Sequence, residues 1–286
     1  MTSPHVHLSR NAALTRMHVA TVLFGMSGIF GQLCASSAMT IVCGRALFSV
    51  TALGLLCLWR HEKPCQGLRT SGIVGLILSG VLLTAHFVTF FQGIKLGGIA
   101  IGTLGFACFP VFTALFESIA YGEKPRAREW QAMLMVAAGL CCIAMPDTAI
   151  AVQGLLWGIL SAGIYGLVAV VNRRISCALS GTMACWWQNM TILGCLLPCS
   201  LSALSSAPPL DWLWFGCLGI LCTALAYSLY INSLTAIKAR QAAIVISLEP
   251  VYAILMAWML FGEQPGIPTI AGGLLVLGAA LRVHNP

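Results

Sequence analysis

Residues 248–265 read LEPVYAILMAWMLFGEQP: a carboxylate beside a proline, an unbroken apolar run, then a glycine–glutamate pair. In water this would be a buried helix with an unusual start. Its flanks are equally apolar, so the surrounding medium is lipid, where an acid is expensive and marks function by default. Residues 109–125, FPVFTALFESIAYGEKP, repeat the pattern. Pro110 and Pro250, Gly122 and Gly262, Glu123 and Glu263, and Pro125 and Pro265 are each separated by 140 residues. Two related halves, each with a proline-broken segment, point to a transport pathway.

Composition sets the class. Of the 286 residues, 59% are hydrophobic and only 8% are charged, with a mean hydropathy of +0.91. A soluble domain carries roughly 25% charged residues, so this chain cannot coat itself for water. It reads as a polytopic membrane protein. The net charge of +7 falls in short loops between apolar spans, which is a topology signal rather than a nucleic-acid surface. Most of the thirteen cysteines, Cys57, Cys108, Cys141, Cys142 and Cys217 among them, lie inside apolar spans as small hydrophobes. Cys195 and Cys199 lack zinc-site spacing. Neither disulfides nor a metal site is expected.

A membrane span needs about 20 apolar residues. Ten candidates follow: 18–37, 40–60, 71–93, 98–121, 127–146, 153–172, 181–201, 211–235, 240–262 and 267–284. The expected fold is all-α, with ten transmembrane helices as two inverted five-helix repeats around a central cavity. Residues 1–17, with Arg10 and Arg16 and no cleavable leader pattern, read as a cytosolic tail. The first repeat is expected over 18–146 and the second over 153–284. Five spans per half is odd, so the second half inserts upside down. The cations Arg60, Lys63, Arg69, Lys124, Arg126, Arg128, Arg173, Arg174, Lys238, Arg240 and Arg282 fall on one side of that stack. Lys95, Asp147, Asp211 and Glu263 fall on the other. The bias puts both termini in the cytosol.

Glu249 is the leading functional candidate. It lies roughly ten residues, about 15 Å, into its span. Beside it Pro250 cannot donate a backbone hydrogen bond, which makes a polar, bendable point at mid-bilayer. Two readings stay open: a substrate contact or protonatable coupling site, and a neutral acid hydrogen-bonded to a facing helix. Pro110 and Pro250 are the candidate hinges. Glu117 is a second possible coupling acid, with pairing to a basic loop residue as the plainer reading. His86 sits among Phe87, Phe90 and Phe91. A lone membrane histidine is more often packed than a proton relay, yet this setting suits an amphipathic solute. Phe90, Phe24, Trp157, Tyr165, Tyr227 and Tyr230 are mid-span aromatics and candidate substrate contacts. Phe87 and Phe90 align with Tyr227 and Tyr230 at the same offset. Arg45, near the outer end of its span, either snorkels, pairs with a neighbour or binds an anionic group. Glycines such as Gly154, Gly158, Gly163 and Gly166 read first as packing positions. No zinc-protease, nucleophile-elbow, Walker or dinucleotide motif is present, so neither catalysis nor a cofactor is expected. The driving force is then a gradient of solute or ion.

The paired segments 109–125 and 248–265, with LFGMSGIFG in the first span, CGRALF in the second and WGILSAGIYG opening the second half, resemble the EamA family of the drug/metabolite transporter superfamily. The resemblance covers roughly 18–284. It implies ten spans in two inverted repeats around a cavity open alternately to each side, in the cytoplasmic (inner) membrane of a prokaryote. It also implies transport of amino acids or other small metabolites, often outward. Glu249 and Pro250 match the family's Glu-Pro pair, and Glu123 and Glu263 its Gly-Glu turns. The first half departs by carrying Phe109 where the second has Glu249, which argues against a symmetric two-acid coupling scheme. The partners expected are the lipid bilayer, a small-molecule solute and a proton or exchanged solute, with no nucleic acid. The alternatives are an importer or exchanger of a larger nucleotide-derived or drug-like metabolite, a channel, and a non-transporting or enzymatic intramembrane protein.

Overall fold

The computed structural model describes residues 9–62, 70–122, 127–144, 149–175, 180–233, 236, 245–246 and 248–284, all of them helical or in helix connections. Lys63, Arg69, Glu123, Lys124, Pro125, Arg126, Asp147, Lys238 and Arg240 lie outside the described residues. In chain order the helices are α1 (Arg10–Leu33), α2 (Ala38–Trp59), α3 (Thr70–Phe106), α4 (Phe109–Tyr121), α5 (Ala127–Ala144), α6 (Ala149–Ile175) and α7 (Gly181–Ser205). Then come α8 (Pro209–Gly216), a π-helical stretch (Cys217–Leu225), α9 (Ala226–Ser233), α10 (Glu249–Phe261) and α11 (Ile267–His284). Five described stretches are long and apolar enough to cross a membrane: Arg10–Leu33, Ala38–Trp59, Thr70–Phe106, Ile150–Asn172 and Pro209–Ser233. Leu58, Leu274 and Met259 are 71%, 66% and 82% exposed. So apolar an outer surface is stable only in lipid, and the protein is an integral membrane protein.

The first helix starts at Arg10, well before residue 18 where the span was expected to begin. Ser9 accepts a hydrogen bond from the Ala12 backbone N–H at 3.3 Å and caps it. Residues Ala13 and Met17 are fully buried, so the end of the expected tail is part of the packed bundle. His18 is also helical and bonds the Tyr252 hydroxyl at 3.0 Å, so His86 is not the sole histidine within a membrane helix.

The internal repeat is visible in the backbone. Helices α4 and α10 are each 13 residues long, each with proline in the first turn. Their N-caps match: Cys108 has φ −79°, ψ 0° and Leu248 has φ −83°, ψ −4°. Each ends on a left-handed glycine, Gly122 at φ 68° and Gly262 at φ 69°. Proline at a helix start costs no hydrogen bond, because that N–H has no intrahelical partner in any case. Pro110 and Pro250 therefore begin helices after a break rather than bending continuous ones.

The other break in α3 falls at Gly98, with φ 79° and ψ 172°. The backbone N–H groups of Ile99 and Ala100 beyond it donate to the Glu263 carboxylate from the α10–α11 connection. That side chain supplies the cap the restarted helix lacks. Burial pushes the Glu263 carboxyl up, and the two N–H groups pull it back down. A second carboxylate closes the α1–α2 turn. Asp211, 2% exposed, accepts from the backbone N–H of Ala35 at 2.9 Å and of Ser36 at 2.8 Å. The Ser36 hydroxyl also donates to Asp211, and the Lys95 ammonium donates to the Cys34 carbonyl.

Across the middle, α3 and α6 meet backbone to backbone. A Cβ on Gly154 would lie 2.5 Å from the Gly97 Cα, and one on Gly158 would lie 2.7 Å from the Gly102 carbonyl oxygen. Elsewhere glycines make slots for rings: Phe91 lies over Gly31 and Phe215 over Gly44. Gly154→Val should force these helices apart and destabilise the protein by about 1–3 kcal/mol, read as a lower melting temperature in detergent. Asp211→Ala should cost a similar ~1–3 kcal/mol by leaving the Ala35 and Ser36 N–H groups unpaired, with Asp211→Asn falling between it and the native protein in the same melts.

Candidate functional site

Where the glycine contact between α3 and α6 ends, a cavity of about 350 Å³ opens. Its walls come from α1, α2, α3, α4, α6, α7, the π-helical stretch, α9 and α10. Successive turns of α3 bring His86, Phe87 and Phe90 to it, and Phe106 and Phe109 join from either side of the break before α4. The rings form one aromatic wall. His86 lies 4.7 Å from Phe87, 5.0 Å from Phe106 and 4.8 Å from Tyr165 by ring centroids. Phe106 stacks on Phe109 at 5.2 Å, and Phe109 meets Tyr165 edge-on at 5.4 Å. His86 is 4% exposed, and its Nδ1 lies 2.8 Å from the Ser161 hydroxyl. It is a packed, hydrogen-bonded part of the lining, as the plainer reading has it.

Polar groups occupy the other walls. Glu249 is the first residue of α10, where the helix dipole favours a negative charge. It reaches the cavity from the second repeat. Arg45 reaches it from α2 and is 5% exposed. Its Nε donates to the Thr223 hydroxyl at 2.8 Å, and its guanidinium lies 3.8 Å over the Phe87 ring. Thr223 in turn donates to the Leu218 carbonyl at 2.8 Å, a bond that the π-helical turn makes possible. Asn172 and Gln188 line the cavity as well. Gln188 Nε2 donates to Asn172 Oδ1 at 2.9 Å and to the Ser79 hydroxyl at 2.8 Å, and Ser79 donates to Asn172 at 2.7 Å. Each amide is locked in one orientation by the other two groups.

Of the residues singled out from sequence, Phe24, His86, Phe90, Tyr165, Tyr227, Tyr230 and Glu249 all line this one cavity. Pro110 and Pro250 meet with Phe109 and Glu249 around a second void of about 10 Å³, so the two broken segments do converge. Trp157 does not belong to the lining and is 37% exposed. The glycines flanking it, Gly154 and Gly158, draw that part of α6 against α3 and leave no space, so the indole goes to the periphery. Glu117 is half-buried on α4, about two turns beyond Phe109, and is also absent from the lining. Arg45 entered the sequence reading as a residue near a span end and proves to be part of the wall. Asn172, Gln188, Asn189 and Thr223 were missed. Their one sequence signal is amide and hydroxyl side chains inside apolar runs, a pattern shared by many residues that merely bond their own helix.

Two stretches, residues 13–145 and 152–283, match the EamA-like transporter family. The chain is a member of that family. Similar EamA proteins include the uncharacterized transporter YxxF of Bacillus subtilis, 21% identical over 281 residues, which cover 96% of this chain and 90% of the relative. An uncharacterized transporter of Archaeoglobus fulgidus is 23% identical over 263 residues, covering 92% of this chain and 93% of that one. The pseudopaline exporter CntI of Pseudomonas aeruginosa is 22% identical over 278 residues, covering 90% and 91%. A solved crystal structure superposes with a TM-score of 0.65 at 19% identity, over 96% of each chain; it shares the fold.

Because the lining and the periphery are now distinct, paired substitutions separate them. Phe24→Ala and Tyr230→Ala should each raise the half-saturation concentration for solute about tenfold, the usual worth of one lost apolar contact face. Trp157→Ala should leave it within about twofold. Concentration-dependent flux in proteoliposomes checks both.

Proposed function

We propose that this EamA protein is a secondary transporter that moves a small amphipathic metabolite, an amino acid or related compound, outward by alternating access. The observation that carries the reading is the single cavity of about 350 Å³ where Arg45, Glu249 and an aromatic wall face one space. Ligand sites of this kind are mostly apolar with a few convergent polar groups. At about 350 Å³ this one lies at the small end of the range for ligand cavities, which supports a small solute. One relative is named an exporter, which supports the outward direction.

In this reading the chain crosses the membrane ten times, as two five-helix repeats over 18–146 and 153–284, inverted with respect to each other. The matched backbone of α4 and α10 supports the duplication. The one-sided distribution of Arg and Lys in the sequence supports inversion and cytosolic termini, in the cytoplasmic membrane of a prokaryote. Glu249 is the coupling residue and a substrate contact. It meets the solute directly, and its position where α10 restarts lets a change in its charge alter the packing of both broken segments. Phe109, at the matching place in the first repeat, has no proton to exchange, so coupling is one-sided. Pro110 and Pro250 hold the starts of the two segments without using a backbone N–H, which leaves each free to rock.

Purified protein in proteoliposomes should give saturable flux of a labelled amino acid that unlabelled solute competes away; unsaturable ion current would instead indicate a channel. Glu249→Gln keeps the shape and removes the titration. Its flux should lose the pH dependence of the native protein and fall at least about tenfold under a proton gradient. Flux by Glu249→Gln that matches the native protein from about pH 5 to pH 8 would remove this acid from the mechanism.

A further inference from the structure

We infer that Arg45 is the anion anchor of the solute site and selects solutes that carry a single carboxylate beside an amino group. The inference rests on the reading of this cavity as the solute path. An arginine guanidinium has five N–H donors in a rigid fork. At Arg45, Nε is spent on Thr223 and one face is covered by Phe87. Neither contact neutralises the charge, and Nη1 has no hydrogen-bond partner among the described residues. A cation 5% exposed with a donor left over is costly to hold in the protein unless something completes it. A carboxylate does so by supplying both the opposite charge and a charge-assisted hydrogen bond.

The guanidinium is also held in place. Thr223 is fixed by its bond to the Leu218 carbonyl. A Cβ on Gly219 would lie 2.6 Å from the Arg45 carbonyl oxygen, so the π-helical stretch sits directly against α2 at this residue. The charge balance sets the solute class. Among the described residues of the lining, Arg45 and Glu249 are the two that carry formal charge, and they lie close enough to act on each other electrostatically. A zwitterion, carboxylate to Arg45 and ammonium toward Glu249, leaves the cavity neutral. A phosphate dianion fits the fork equally well but leaves an uncompensated charge beside Glu249. The aromatic wall then takes an apolar side chain.

Thermal stabilisation of the purified protein by matched compounds tests this, since a ligand of the folded state raises stability by mass action. The probes are L-phenylalanine, L-leucine and L-methionine, each with its carboxamide and its decarboxylated amine, and phenyl phosphate. At least one acid should bind about tenfold or more tightly than its own amide and amine, the effect of leaving one charged hydrogen-bonding group unpaired. In Arg45→Gln that preference should vanish, Arg45→Lys should restore part of it, and Thr223→Val should shrink it several-fold. Equal binding of acid and amide, tighter binding of phenyl phosphate, binding of no acid at all, or an acid preference that survives in Arg45→Gln each overturns the assignment. If Arg45→Gln does not fold, the acid–amide comparison in the native protein together with Thr223→Val still decides it. Saturable proteoliposome flux that is indifferent to the carboxylate would discard the anchor and leave the transport reading standing. Absence of saturable flux for every compound would remove both.

Discussion

Inside a bilayer there is no water to satisfy a backbone group at the end of a helix, and each unpaired one costs several kcal/mol. The structure depends on how this constraint is met wherever a helix stops against its packed neighbours. The break at Gly98 is answered by the Glu263 carboxylate, which takes the N–H groups of Ile99 and Ala100. The turn between α1 and α2 is answered by Asp211, which takes those of Ala35 and Ser36. The breaks before α4 and α10 fall at prolines, which have no N–H to satisfy. Each solution but the last uses a side chain distant in sequence, so helix ends and tertiary packing are fixed together.

The breaks before α4 and α10 border the space that the site occupies. Glycine backbones bring α3 and α6 into direct contact over Gly97–Gly154 and Gly102–Gly158. Past that contact the helices carry His86, Phe90 and Tyr165 instead, and the bundle opens. The same local geometry in the two repeats then carries different chemistry. Phe109 and Glu249 both begin a helix after a break, yet one extends an aromatic stack and the other brings a carboxylate to the lining. Phe87 and Phe90 line the same cavity as their counterparts Tyr227 and Tyr230. Between α4 and α10, duplication preserved the backbone while the side chains diverged, so matching helix starts bring a ring from one repeat and a carboxylate from the other to the same cavity.

Much of this was legible in residue order. Composition dictated a membrane protein because so few charges cannot cover a soluble surface. The duplicated Pro, Gly and Glu positions at constant offset identified matching helices, since proline starts and left-handed glycine ends are local backbone requirements. The aromatics of α3 and the acid of α10 were recognisable because polar or ring-rich positions stand out against an aliphatic background. The start of α1 was misjudged because a hydropathy reading does not count Ser9 as a cap.

By itself, then, the sequence determined the medium, the repeat, the position of the two proline-marked breaks and the acid beside one of them, all properties of composition or of a few neighbouring residues. Only the tertiary structure decided which side chains share the cavity. It brought Arg45 to Thr223 across 178 residues and joined Ser79, Asn172 and Gln188 in one network. It sent Trp157 to the periphery and kept Glu117 out of the lining. The reason is rotational: along an apolar helix with no polar face, nothing in the sequence says which side looks inward. That is set by where glycines let a neighbouring helix approach and where larger rings hold it away.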